Sequence, residues 1–141
     1  MSSIYDHLRR IGRKKEQARM ENTGQCLCGA VKYAFTGETE TVVMCHCKNC
    51  QRQSGSAYSL NLVVPSDGVR ISGNLKRYAD KSEGGTPVYR EFCPECGSPI
   101  RSFVASLPGM DVFKVGTLDA TEHLSPQVQI WCASALAGLK I

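Results

Sequence analysis

The chain has 141 residues, enough for one domain with one hydrophobic core, and two full domains are not expected. Hydrophobic residues make up 42% and charged residues 21%, which excludes a disordered or collagen-like chain. The net charge is +4, but six basic residues fall within residues 1–23 and the rest of the chain is nearly neutral. This distribution does not favour a nucleic-acid binder, and no apolar run is long enough to predict a membrane span.

Residues 1–23 are predicted to form a basic N-terminal extension that contains a short helix. Ser3 is placed to cap the helix, and Ile4, Leu8 and Ile11 form a narrow apolar stripe. A basic amphipathic helix can contact a membrane or a partner, but so short a stripe favours a solvated extension. No apolar stretch of the signal-peptide type is visible, so we expect a cytoplasmic protein whose clustered cysteines bind metal.

Residues 24–134 are predicted to form one mainly β domain, and residues 135–141 a C-terminal tail. Short runs rich in Val, Ile, Tyr and Phe alternate with turns that contain Gly and Pro, as is typical of short strands. Lys48–Gln53 alone favours a helical turn. The predicted strands are Val31–Phe35, Thr41–Met44, Ala57–Val64, Val69–Ser72, Leu75–Tyr78, Val88–Phe92, Ile100–Ala105, Val112–Val115 and Val128–Trp131.

Seven of the eight cysteines fall into three clusters, and Cys132 stands alone. Cysteines separated by one or two residues can bring their sulfurs to one tetrahedral cation, for which zinc is the usual occupant. The spacing therefore predicts two zinc ions per chain. The clusters are Cys26-Leu-Cys28, Cys45-His-Cys-Lys-Asn-Cys50 and Cys93-Pro-Glu-Cys96.

The third cluster has the form of a zinc knuckle. Pro94 presets the backbone between Cys93 and Cys96, and the Gly that follows supplies a permissive backbone past the second ligand. A knuckle supplies two ligands, and Cys26 and Cys28 are its natural complement. A closed four-cysteine site would tie the start of the domain to its middle and contribute folding energy directly.

The middle cluster differs because it has three thiols and no obvious local fourth ligand. In an extended segment Cys45 and Cys47 point to one side and His46 to the other, and Cys50 can curl back from the following turn. Three protein ligands with an exchangeable fourth position are the pattern of a catalytic zinc. The alternative is a second structural site, closed by Cys132 or His46.

Polar and basic residues near this cluster are candidate substrate contacts. His46 is predicted to support the metal or touch the substrate, and the stretch from Gln51 to Ser56, including Ser54, is suited to line a small polar substrate. Three basic residues could pair with substrate carboxylates or be solvated surface charges. They are Lys48, Arg52 and Arg90.

Five motifs stand in order along residues 24–134. They are Gly24-Gln-Cys-Leu-Cys-Gly-Ala-Val31, Cys45-His-Cys-Lys-Asn-Cys-Gln51 with Gly55-Ser56, Arg90-Glu-Phe-Cys-Pro-Glu-Cys-Gly-Ser-Pro99, Val115-Gly-Thr-Leu-Asp119, and Ile130-Trp131 with Ser134. Together they resemble the glutathione-dependent formaldehyde-activating enzyme family, whose domain is shared with centromere protein V. The resemblance implies an Mss4-like β fold of short antiparallel strands built around zinc.

The resemblance also implies a function. It implies a zinc-dependent carbon–sulfur lyase that adds glutathione, or a related thiol, to formaldehyde to give S-(hydroxymethyl)glutathione. The competing hypothesis is a non-catalytic, zinc-stabilised binding module of the same fold. The family's structural zinc corresponds to Cys26, Cys28, Cys93 and Cys96, and its catalytic zinc to Cys45, Cys47 and Cys50.

The chain departs from the family pattern at its C-terminal edge. Gln129 stands where members commonly have His before the Ile-Trp pair, and Ala135 stands where they commonly have Lys. In the family this edge lies near the mouth of the active site. The departures therefore concern the substrate and leave the metal ligands intact.

Overall fold

The computed structural model describes residues 4, 8, 21–36 and 41–139, which fold mainly into β-strands. The predicted N-terminal helix otherwise lies outside the described residues, and the side chains of Ile4 and Leu8 are exposed. No helix in the described ranges is long and apolar enough to cross a membrane. The elements are β1 (Asn22–Gln25), β2 (Lys32–Phe35), β3 (Thr41–Cys45), α1 (Lys48–Ser54), β4 (Ser59–Pro65), β5 (Val69–Ser72), β6 (Lys76–Lys81), β7 (Pro87–Phe92), β8 (Pro99–Val104), β9 (Met110–Lys114) and β10 (Val128–Ile130).

The mainly β prediction is confirmed, and the nine predicted strands correspond in order to β2 to β10. The predicted helical turn is α1, which continues one residue further, to Ser54. β1 was not predicted because its sequence, Asn-Thr-Gly-Gln, has no apolar or β-branched alternation. It begins at Asn22, so the last two residues assigned to the N-terminal extension lie in a sheet.

The strands form two sheets. β1, β2 and β5 make a three-stranded antiparallel sheet, and the other seven strands are ordered β10-β3-β4-β9-β8-β7-β6. Neighbours in the larger sheet are antiparallel except β10 and β3, which are parallel and pair Ile130 with Cys45. The predicted fold of short antiparallel strands is confirmed, and β10 is parallel to β3 because a long connection returns the chain to the β3 edge in the same direction.

One face of the seven-stranded sheet packs on the small sheet and forms the hydrophobic core. Tyr33 and Phe35 of β2 stack on Phe113 of β9, with ring centroids 4.4 and 5.4 Å apart. Leu62 of β4 and Ile100 of β8 are fully buried in the same cluster. This face carries the stability that apolar burial supplies.

The other face of the same sheet carries the alternate residues of the same strands. Side chains alternate along a strand, so Asn61, Val63, Val112 and Lys114 point away from the core that contains Phe113. Several of these residues are also buried, as expected for a sheet that is covered on both faces. The second face forms the cavity described below.

Gly24 in β1 provides a test of this packing, because a side chain there has no space. An added Cβ would collide with the Tyr33 ring and lie 2.6 Å from the Thr117 carbonyl oxygen. Gly24→Ala is expected to lower the free energy of unfolding by about 1–3 kcal/mol, measured by denaturant titration.

Gly116→Ala is the matched control, because a Cβ at Gly116 meets nothing within 4 Å. We expect this control to leave stability unchanged or raise it by up to about 1 kcal/mol. Equal stability of the Gly24 variant and the wild type would contradict the close approach of β1 to Tyr33.

Candidate functional site

Four cysteines from two distant parts of the chain meet at one site. The sulfur atoms of Cys26, Cys28, Cys93 and Cys96 all lie within 4.8 Å of one another. The Cys28 sulfur lies 3.6 Å from that of Cys26 and 3.8 Å from that of Cys93. Zinc–sulfur bonds of about 2.3 Å in a tetrahedron require sulfurs about 3.8 Å apart. The cluster can hold a metal ion, and its spacing fits zinc.

The loops around this cluster are shaped to hold it. Gly97 has φ of 78° and its N–H donates to the Cys93 carbonyl at 2.9 Å, which closes the knuckle turn. The Ser98 hydroxyl accepts the Leu27 N–H at 3.0 Å and lies 3.3 Å from the Cys96 sulfur. The hydrogen bond between this hydroxyl and the Cys96 sulfur is the largest of the effects that lower the pKa of Cys96 to about 5. Ser98 therefore links the two ligand loops and favours a thiolate.

A second cluster joins Cys45, Cys47 and Cys50, and all three side chains are buried. Cys45 ends β3, and Cys47 is the N-cap of α1. The Cys47 sulfur accepts the Cys50 N–H at 3.3 Å, as the oxygen of a capping Ser would. Their three sulfurs lie within 4.8 Å of one another and could also hold a metal ion.

Neither residue considered as a fourth ligand joins this second cluster among the described residues. The His46 ring is buried, and its Nε2 donates to Gln129 Oε1 at 3.0 Å. This hydrogen bond to Gln129 holds in place the histidine that lies between Cys45 and Cys47 in the sequence. Cys132 is exposed, beyond the end of β10. The arrangement supports three protein ligands.

The thiols of the second cluster differ in acidity. A hydrogen bond from Cys45, followed by the positive charges of Lys114 and Arg90, lowers the pKa of Cys50 to about 5, although burial opposes the shift. Donation of that hydrogen bond, together with burial, raises the pKa of Cys45 far above its ordinary value. The Arg90 Nη1 lies 3.9 Å from the Cys50 sulfur. The surroundings therefore favour negative charge on sulfur.

Two buried cations stand on the same face of the sheet as this cluster. Arg90 is 5% exposed, and its Nε donates to Asp80 Oδ2 at 2.8 Å. Lys114 is 7% exposed, and its Nζ donates to Ser59 Oγ at 2.7 Å and Asn61 Oδ1 at 3.1 Å. Burial lowers the pKa of Lys114 to about 8. Arg90 thus has a carboxylate partner, whereas Lys114 has two neutral ones.

The three cysteines, Arg90 and Lys114 line a cavity of about 480 Å³. Much of its wall comes from six valines, one on each of six neighbouring strands of the larger sheet. At its mouth lie the exposed side chains of Leu107, Ile130 and Trp131. Trp131 has a backbone φ of 56°, in the left-handed region that residues other than Gly seldom adopt. The cluster is therefore accessible from a pocket with apolar walls.

The polar residues predicted as substrate contacts lie outside the cavity lining. Gln51 Nε2 donates to the carbonyl oxygens of His46 at 2.7 Å and Ser134 at 3.0 Å. Ser54 Oγ donates to the Tyr58 carbonyl at 3.2 Å. These bonds hold the backbone around the second cluster, and a direct substrate contact stays a prediction.

The three basic residues predicted to pair with substrate carboxylates lie in different surroundings. Arg90 lies in the cavity, whereas Lys48 and Arg52 are exposed on α1. Sequence reasoning missed Lys114, although it occupies a position in β9 that alternates with the core residue Phe113. Its pairing with Asn61 depends on the register of β4 and β9, which no local pattern encodes.

Comparisons with known proteins agree with the geometry. A crystal structure of a Rhodobacter sphaeroides protein matches with a TM-score of 0.57 and 23% identity, over 76% of this chain and 97% of that one, which shows the fold. A protein of Sordaria macrospora is 32% identical over 69 residues, and one of Emericella nidulans is 30% identical over 74 residues. Both are provisionally named glutathione-dependent formaldehyde-activating enzymes.

These matches differ in extent. The two fungal alignments cover 49% and 51% of this chain, but only 29% and 36% of the relatives' own lengths. The model of the glutathione-dependent formaldehyde-activating enzyme family matches residues 21–134, most of the chain and all seven clustered cysteines. The chain therefore belongs to the glutathione-dependent formaldehyde-activating enzyme family.

Proposed function

We propose that the protein is a zinc-dependent carbon–sulfur lyase that joins a thiol to an aldehyde. Glutathione and formaldehyde are the reactants to which the family name points. The observation that carries the proposal is the position of three buried cysteine sulfurs on a cavity wall. A cluster accessible from a cavity suits chemistry, whereas a cluster that only stabilises a fold needs no pocket.

The two cysteine clusters would have different roles. Cys26, Cys28, Cys93 and Cys96 would enclose a structural zinc, since four thiolates complete a tetrahedron. Zinc held by Cys45, Cys47 and Cys50 would supply an exchangeable position at which a substrate thiol is stabilised as thiolate. Three thiolates leave that centre with a net charge of about −1, which favours thiol positioning over strong carbonyl polarisation.

The chain's own residues prepare the cavity for this reaction. Arg90, held by Asp80, directs positive charge at the Cys50 sulfur and so stabilises thiolates nearby. His46, Gln51 and Ser54 would act by holding the backbone around the ligands, through the hydrogen bonds described above. The valine walls limit water around the reacting groups.

In the proposed reaction the thiolate sulfur forms a bond to the aldehyde carbon. The π electrons of the carbonyl move to its oxygen, which takes up one proton in exchange for the one that the thiol released on becoming a thiolate. No oxidant or reductant is needed. We propose that the reaction takes place in the reducing cytoplasm. Every cysteine has a free sulfur, and thiol chemistry requires that the cysteine clusters stay reduced.

The proposed activity predicts faster exchange between formaldehyde and its glutathione adduct. NMR exchange spectroscopy with purified zinc-loaded protein is expected to show a rate above the uncatalysed background, with a series of thiols as comparison. The control is the same mixture with the protein denatured by heat. Rates equal to this background for every thiol would contradict the lyase function.

We expect substitution of Cys47 to remove activity while the protein remains folded. In Cys47→Ser the new hydroxyl retains the N-cap of α1, since Ser is a preferred cap, but removes a metal-binding thiol. We expect metal content to fall from two ions to one and activity to fall by about 100-fold or more, as even residues that only orient ligands cost 10- to 100-fold. Circular dichroism and metal analysis provide the readouts.

Two further cysteine variants serve as comparisons for the stability and metal content of Cys47→Ser. Cys28→Ser, in the four-cysteine cluster, is expected to lower Tm by about 10 °C or more, because that site closes the fold. Cys132→Ser, at an exposed thiol outside both clusters, is expected to change neither Tm nor metal content. Global unfolding of the Cys47 variant would instead favour the non-catalytic binding module.

A further inference from the structure

The cavity is more apolar than glutathione and formaldehyde require. Nine of its 21 lining residues are Val, Leu, Ile or Trp, and six of those are valines. Formaldehyde has no substituent to cover such walls. The carboxylates and ammonium group of glutathione could pair with the charged residues of the lining but would gain nothing from the valine side chains. The walls therefore suit a substrate with an apolar body.

Strand register places the valines at neighbouring positions of one face, with Ser102 among them. Val63 pairs with Val112, Val112 with Ser102, and Val88 with Val104, all on the face opposite the core. Each methylene group that such a surface buries raises affinity about four-fold. The affinity of a ligand with an alkyl chain should therefore rise with each methylene group that is added to the chain.

Lys114 supplies a polar anchor at the same surface. An ammonium group has three N–H donors, and two of them are used by Ser59 and Asn61. Within the described ranges no carboxylate lies at ion-pair distance from Lys114, although the residue is only 7% exposed. Its third donor is available to a ligand oxygen, on the face that carries the Cys45–Ser59 pair.

We propose that this cavity takes a ligand with an apolar body and an oxygen-bearing head group that accepts a hydrogen bond from Lys114 Nζ. Resting on the proposed function, the substrate is an aldehyde with an apolar substituent. Its substituent lies along the valine surface, and its carbonyl oxygen faces Lys114. Thiolate addition forms the C–S bond and moves the carbonyl π electrons to oxygen. The oxygen takes up a proton from water, which balances the proton that the thiol released to solvent, and the product is a hemithioacetal.

Trp131 provides a binding readout that is independent of activity. It is the single tryptophan of the chain and lines the cavity mouth, so its fluorescence reports on ligands there. The probes are butanoate, hexanoate and octanoate, unreactive carboxylates in which one oxygen stands in for the aldehyde oxygen. We expect affinity to rise about 16-fold for each two added methylene groups.

Lys114→Met tests the head-group contact while it retains side-chain length. It is expected to weaken octanoate binding ten-fold or more but to change octan-1-ol binding much less, since a neutral ligand loses no charge interaction. The matched control is Lys76→Met, at an exposed position of β6, which should alter neither affinity. Thermal melting of both variants verifies that they are folded.

Equal affinity for the three carboxylates, or octanoate binding unchanged by Lys114→Met, would overturn the inference. The aldehyde series formaldehyde, butanal and octanal, assayed with one thiol by NMR, separates it from the proposed function. Accelerated exchange with no preference for octanal overturns the inference and keeps the lyase. Graded carboxylate binding without acceleration of any aldehyde supports the ligand class assigned to the cavity and overturns the lyase.

Discussion

Sulfur atoms that lie within 4.8 Å of one another cannot all carry negative charge unless a cation neutralises them. In the second cluster a hydrogen bond shared by two thiols sets their acidities apart, because it lowers the pKa of Cys50 and raises that of Cys45. In the four-cysteine cluster the same constraint acts between the β1–β2 loop and the knuckle after β7. A cation held by each cluster, as the proposed function requires, would satisfy this constraint both in the fold and at the site.

One face of the seven-stranded sheet packs into the hydrophobic core, and the opposite face lines the cavity. Phe113 points into the core and stacks on Tyr33, while its neighbour Lys114 points into the cavity with Asn61. The cavity thus rests on a face whose other side is well packed, which gives its side chains fixed positions. The exposed part of the cavity lining is its mouth, where the side chains of Trp131 and Ile130 reach the surface.

Local sequence patterns predicted the elements and the metal clusters, because ligand spacing and strand alternation are properties of short segments. They missed β1, whose polar sequence becomes a strand only through its pairing with Lys32–Phe35. They also missed Lys114, which becomes part of the site through its cross-strand neighbour Asn61. Register and the return of β10 to β3 are tertiary properties, so the cavity's composition could not follow from spacing.

X-ray absorption at the zinc edge tests the central claim, that one cluster is closed and the other has three protein ligands. In protein loaded with two zinc ions, the account predicts seven sulfur ligands shared between the ions and one oxygen or nitrogen ligand. Addition of a thiol substrate should replace that light atom with an eighth sulfur. Eight sulfurs before any thiol is added would contradict the account, since both centres would then already be closed.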